Sequence, residues 1–267
     1  INMKKILIGL LALTLSATMF AETGSGAELV DSIFKGTSDT GNKFGIGAGV
    51  GVSDSIYKGA EDKAYPMPLL DINYYDLYVK GATIGYSFYR DDAFAASLFV
   101  DPLAGFAVDG ADLARGYDNI DDRKFQAMFG IRLDAETGFY GIRTGLSAQV
   151  GEHGGEGKIS AFKSYKVDDK LTIVPSIHVK GYSGDYTDYY FGVTSDEARR
   201  NSKIDRAYKA DAAYSIGLNL TADYRLTDNV ALMAFLGVEK FSSEISDSPI
   251  VDDGVLYLVG IGAKYYF

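Results

Sequence analysis

From about residue 42 to its end the chain alternates apolar and polar positions with a period of two, the pattern of strands whose two faces meet unlike surroundings. The clearest stretch is 211–224. Ala212, Tyr214, Ile216, Leu218, Leu220, Ala222 and Tyr224 share one face, and Asp211, Ser215, Gly217, Asn219, Thr221 and Asp223 share the other. The rhythm recurs in 125–133, where Phe125, Ala127, Phe129, Ile131 and Leu133 oppose Gln126, Gly130 and Arg132. It returns in 140–150 and 171–181, the latter placing Ser176, His178 and Lys180 opposite Ile173, Pro175, Ile177 and Val179.

Alternation alone fits a soluble sandwich as well as a membrane barrel, because both bury one face of each strand. Three further features favour the barrel. Segments such as 138–150 and 208–224 exceed an ordinary globular strand and suit a tilted membrane crossing of about 9–11 residues. Tyr and Phe gather near strand ends, at Tyr74, Tyr78, Tyr86, Phe88, Tyr140, Tyr224 and Tyr265, as interfacial girdles do. Tight polar turns at 75–76, 90–92, 134–138, 168–170 and 227–229 alternate with longer connections at about 54–64, 102–123, 151–157, 182–207 and 243–253. Short turns on the periplasmic side and long loops outside are the outer-membrane arrangement. Both chain ends then lie in the periplasm and the strand number is even. That parity requires 77–89 to be two short strands turning near Gly81 and Ala82, which makes an all-β, antiparallel up-and-down barrel of twelve strands over 42–267. A single strand there would break the in-out order and leave a barrel of ten.

The N-terminal end has another character. Lys4 and Lys5 precede the apolar run 6–20, and small residues surround Ala21, so 1–21 reads as a secretory signal cleaved after Ala21, with 22–41 a flexible lead-in. Losing the two Lys and no acid leaves 24 basic and 36 acidic residues, moving the net charge from −10 to −12. So acidic a chain is not a nucleic-acid binder. With no Cys in 267 residues, disulfide scaffolds, thiolate metal sites and cysteine nucleophiles are excluded.

The last strand places Val255, Tyr257, Val259, Ile261, Ala263, Tyr265 and Phe267 on one face and Gly260, Gly262 and Lys264 on the other. Gly262, Tyr265 and the terminal Phe267 resemble the signal read by the outer-membrane insertion machinery. Two runs carry a wider resemblance. Tyr-Tyr-Phe-Gly-Val-Thr at 189–194 and Asp-Ser-Pro-Ile-Val at 247–251, with Tyr-Pro-Met-Pro-Leu-Leu at 65–70, make the chain similar to the MipA/OmpV family over essentially its whole mature length. That resemblance implies an integral barrel in contact with outer-membrane lipid. It also implies a non-enzymatic scaffold joining a lytic transglycosylase to a peptidoglycan synthase, as in the protein that gives the family its name. Other members are surface antigens or adhesins.

Candidate chemistry is sparse. Ser176 and His178 share a lumen face, where a lipid substrate could not easily reach a Ser-His pair, so a membrane lipid hydrolase is the least favoured reading. Glu152, His153 and Glu156 lie in a glycine-rich stretch too mobile to fix a metal alone. Gly45, Gly47, Gly49 and Gly51 share one face of the first strand without the Lys-Ser/Thr of a phosphate loop, and read as clearing lumen space or permitting sharp coiling. No cofactor site emerges. Arg132, Arg143, His178, Lys180, Asp211, Asp223, Glu239 and Lys264 are expected to face the lumen as a polar network of both signs. A passive small-solute channel lined by the same residues is the alternative.

Overall fold

The computed structural model describes residues 42–60 and 63–267. The expected signal segment 1–21, its cleavage point at Ala21 and the lead-in 22–41 lie outside the described residues. Twelve strands follow: β1 (Lys43–Ser53), β2 (Lys63–Tyr74), β3 (Leu77–Lys80), β4 (Thr83–Arg90), β5 (Phe94–Ala104), β6 (Gln126–Glu136), β7 (Arg143–Gly151), β8 (Gly154–Phe162), β9 (Leu171–Tyr182), β10 (Ala213–Arg225), β11 (Val230–Phe241) and β12 (Val255–Tyr266). Tyr165–Lys166 extends β8 along β9 after a break.

Each strand pairs antiparallel with its successor, and β12 returns to β1, Gly45 facing Tyr266 and Ser53 facing Leu258. The sheet is therefore a closed barrel. Closure lets the backbone satisfy its own hydrogen bonds where water is absent. The hinge of the parity argument is present: β3 and β4 are joined through Gly81 and Ala82, and Gly81 adopts φ +56°, a conformation glycine enters freely.

Alternation maps onto the wall as expected. Ile46, Val50, Leu98, Ile131, Leu146, Ile159, Ile177, Ile216, Leu218, Leu236, Val259 and Ile261 are exposed all round the outside. A continuous apolar band of that extent would be insoluble in water and is matched to lipid. Tyr74, Tyr75, Phe139, Tyr140, Tyr165 and Tyr265 are exposed at the turn end, forming an interfacial girdle. The β1 glycines permit close strand approach: a Cβ on Gly47 would stand 2.1 Å from the Ala263 carbonyl oxygen.

Two expectations are corrected. Residues 151–157 are not a loop: β7 runs to Gly151 and β8 starts at Gly154, leaving a tight turn at Glu152 and His153. The ladder partners Ser147 and Ala148 hold Lys158 and Gly157 in the wall despite the weak strand preference of glycine. The external connections also carry helices, α1 (Gly184–Phe191), α2 (Ser195–Arg200) and α3 (Ser243–Ser246), with a 3-10 turn at Gly110–Asp112.

Candidate functional site: a charged lumen beneath a folded cap

Inside the barrel the charges gather into separate clusters. Asp71 is bonded by Lys80, lies 3.4 Å from Lys43 and 3.8 Å from Lys264, and accepts from the Tyr266 hydroxyl at 3.0 Å. On the other wall Glu239 accepts from Ser215 at 2.5 Å and Tyr182 at 3.2 Å, with Lys180 at 3.5 Å and His178 Nε2 at 3.6 Å. Asn219 Nδ2 stands 3.3 Å from His178 Nδ1. Both ring nitrogens thus face groups other than Ser176, the orientation of a positioned lumen histidine rather than of a base serving a hydroxyl. Arg132 grips Asp134 through Nε and a terminal nitrogen at 2.9–3.1 Å, a fork geometry suited to a carboxylate.

Of the remaining expected lumen residues, Arg143 and Asp223 lie on the inward parity of β7 and β10 near the turn end, and Asp211 falls outside the wall. Arg143 pairs with Glu136 (Nε to Oε1, 2.8 Å) at the turn-end rim. Asp211 is exposed in the connection before β10 and is not part of the wall, because the ladder ends at the pair Tyr182–Ala213. Asp223 lines a turn-end cavity of about 700 Å³ together with Lys166, Asp168, Lys170, Arg225 and Tyr266. In the glycine-rich turn His153 stacks on the Tyr189 ring at 3.5 Å, while Glu156 accepts from Gln149 at 2.7 Å.

Sequence reasoning missed the cap. Connections 54–60, 105–125, 183–212 and 242–254 fold over the loop-end mouth around a buried core that includes Tyr57, Phe106, Tyr186, Tyr190, Phe191, Ile245 and Ile250. Phe106 is its hub, with the rings of Tyr182, Tyr186, Tyr190, Phe191 and Phe241 at 5.1–6.4 Å. Helix α1 forms because Ser183 caps it, accepting from the Tyr186 N–H, and Tyr186 and Tyr190 then share one buried face. The spacing Tyr182, Tyr186, Tyr190 and the run Thr194-Ser-Asp-Glu197 were the available signals, the second being a capping box. Tyr57 donates to the carbonyls of Phe106 and Tyr190 at 2.7 and 3.1 Å, and burial pushes its hydroxyl well up, so it stays a donor.

A buried ion pair, Arg123–Glu197, ties two cap segments together beside an exposed one between Arg200 and Asp121 at 2.9 Å. Glu197 is fully buried and accepts from Arg123 at 2.8 Å, from the Thr194 N–H at 2.7 Å and from the Asp121 N–H at 3.0 Å. Burial works against its ionisation, but the two N–H donors and the guanidinium outweigh it and hold the carboxyl below the usual glutamate range.

The family described as MltA-interacting protein MipA matches residues 46–267 of this chain. The chain belongs to the MipA family. Its similarity to individual members is moderate but long. It is 34% identical over 194 residues to the 24 kDa outer membrane protein of Pasteurella multocida (strain Pm70), covering 70% of this chain and 75% of that one. It is 28% identical over 235 residues to the MltA-interacting protein of Escherichia coli (strain K12), covering 87% and 93%. Among solved structures, an outer membrane channel from Pseudomonas putida F1 superposes with a TM-score of 0.42 at 10% identity, over 85% of this chain and 95% of that one. The MipA-family barrel described here is thus an outer-membrane protein, and its curated relatives carry outer-membrane names.

Proposed function

We propose that this MipA-family barrel acts as a non-enzymatic scaffold whose working face is the periplasmic turn end, where it binds a lytic transglycosylase and, with it, a peptidoglycan synthase. The observation that carries the reading is the asymmetry of the two ends. The outer mouth lies under a cap with an aromatic core, whereas the turn end presents a mixed-charge cavity lined by Lys166, Lys170, Arg225, Asp168 and Asp228. The relative named MltA-interacting protein supports the choice of partner. In this reading the Asp71 and Glu239 clusters brace the wall from within and are not a conduction path, and the strand carrying Gly262, Tyr265 and Phe267 serves assembly by the insertion machinery.

The test has two arms. Full-length protein in nanodiscs is expected to retain a purified lytic transglycosylase, and Lys166→Glu with Lys170→Glu and Arg225→Glu is expected to weaken that retention. Failure of the unmodified barrel to retain any such enzyme overturns the scaffold reading. In planar bilayers the refolded protein is expected to be electrically silent; stable unitary steps would establish a passive channel instead.

A further inference from the structure

The β3–β4 hairpin stops part-way up the wall. β3 has four residues, and at its tip the Gly81 N–H donates to the Leu70 carbonyl at 2.9 Å. Four residues of tilted strand rise about 10 Å, against a lipid-facing band about 25 Å tall. β2 continues above the tip to Lys63 and β5 to Ala104, and among the described residues no strand pairs with their facing edges there. Three strand spacings of about 4.8 Å separate β2 from β5 at the hairpin, so the gap starts from about 14 Å between strand axes at the tip.

The edges suit an opening. In an antiparallel strand, alternate residues turn their backbone groups to opposite neighbours. Leu70 faces β3, so Pro66 and Pro68, of the same parity, face the gap, and neither has an N–H to strand there. Pro102 lies in the β5 bulge between Asp101 and Ala104 on the other flank. Three of the chain's five prolines therefore border the gap, and they remove donors that an added strand would need.

Three inward side chains on its flanks lean clear of it. A Cβ on Gly262 would lie 2.5 Å from Leu69 Cδ1, and one on Gly49 3.1 Å from Met67 Cε, so both β2 residues fold back over β1 and β12. On the opposite flank Phe99 folds over Gly130, its Cζ 2.5 Å from where that Cβ would be. Met67 and Leu69 join Met233, Phe235 and Leu258 in a buried apolar cluster, which backs the gap with packed hydrocarbon.

We propose that the gap is a lateral binding site, open to the outer half of the bilayer, that takes the apolar tail of a membrane amphiphile bearing a hydroxyl or amide donor near its head. Lipid on one side and the Met67–Leu69 cluster on the other select a hydrocarbon tail. Among the described residues no strand pairs with β2 at the Pro66 and Pro68 carbonyls on that side, and in a low dielectric they favour an occupant that brings a donor.

The chain has no Cys, so single labels are straightforward. A fluorophore on Thr83→Cys at the hairpin tip, in phosphatidylcholine vesicles containing the full-length protein, is to be quenched with a doxyl-labelled fatty acid. Quenching is expected to saturate, with half-effect at about threefold lower mole fraction than for a label on Leu218→Cys, which faces lipid on β10. 3-Hydroxymyristate is expected to displace the probe more strongly than myristate; equal displacement overturns the donor requirement. Gly262→Leu and Gly130→Leu push Leu69 or Phe99 toward the gap and are expected to remove the saturable component. Equal, non-saturating quenching at positions 83 and 218 overturns the site, and that comparison stands whether or not the glycine variants fold. Disulfide-linked dimers of unlabelled Thr83→Cys would show that a second copy covers the gap and would likewise overturn it.

Discussion

Replacing Glu197 with alanine removes the only carboxylate that Arg123 touches among the described residues, while the guanidinium, 8% exposed, stays buried. Arg123 keeps the carbonyls of Asp121 at 2.9 Å and Gly192 at 3.0 Å, so its charge remains hydrogen-bonded but not neutralised. Breaking a buried pair from one side costs about 3–5 kcal/mol. The two surviving carbonyls put this case at the lower end, about 3 kcal/mol, which raises the cap-opening equilibrium roughly 150-fold. The barrel strands contribute nothing to that pair and should be unaffected. Limited trypsin digestion reads the effect, because Arg115, Lys203 and Arg206 lie in cap connections. When opening is fast relative to cleavage, the cutting rate follows the open population, and heat-modifiable gel mobility shows that the barrel itself is intact. Adding Arg123→Met to Glu197→Ala should restore part of the protection, since the uncompensated charge is gone. An unchanged cutting rate in Glu197→Ala, with the barrel folded, would refute the assignment of Arg123–Glu197 as the lock of the cap.

Acid should loosen the same lock. Because the folded Glu197 carboxyl is held below its unfolded value, its contribution is fully present above the ordinary glutamate range and disappears as pH falls through the lower folded value; cap digestion by pepsin, normalised to an unfolded substrate, should rise only below about pH 4. Phe106→Ala should cost about 3–5 kcal/mol of cap stability, seen as loss of near-ultraviolet circular dichroism with the far-ultraviolet strand signal retained; an unchanged near-ultraviolet spectrum would contradict its role as hub. Gly81→Val places a branched residue at φ +56° and should lower barrel stability by about 1–2 kcal/mol, measured as a lower urea midpoint. Gly81→Asn should cost less, because Asn enters that region more readily.

The wall was legible because lipid and lumen impose a strict period of two. Strand β9 was expected over 171–181 and spans Leu171–Tyr182; the turn demanded by counting chain crossings lies at Gly81. Failures came where pattern and pairing part company. Alternation in the sequence continues through Asp211, but the β9–β10 ladder begins at Ala213, so Asp211 lies outside the wall. The glycines at 151–157 suggested mobility, yet a strand neighbour on each side fixes Gly157, and Gly155 is held by Val150 on one side and by the Ser183 N–H on the other. Lumen facing was readable for Lys180 and Glu239, but their proximity, 59 positions apart, depends on the register of three strands. The cap was invisible to a period-two search because its residues follow helical spacing and long-range contacts.

The cap is continuous with the wall, and this bears on what the barrel can transmit. Met128, Tyr182, Ala213, Phe241 and Leu256 belong to strands, point inward at the loop end, and pack into the same core as Phe106, Tyr190 and Ile250. A hinged lid would leave polar ends beneath it, ready for water. Lifting this cap would instead expose the inward apolar ends of several strands, at about 1.5–3 kcal/mol for each large side chain, besides breaking the Arg123–Glu197 pair. Opening the mouth wide enough for solutes therefore carries the summed cost of those exposures. What remains accessible is the turn-end rim and the gap above Gly81. A protein that exchanged solutes along its axis would have no use for a core across its mouth, whereas one that works from its periplasmic face gains a rigid wall from it.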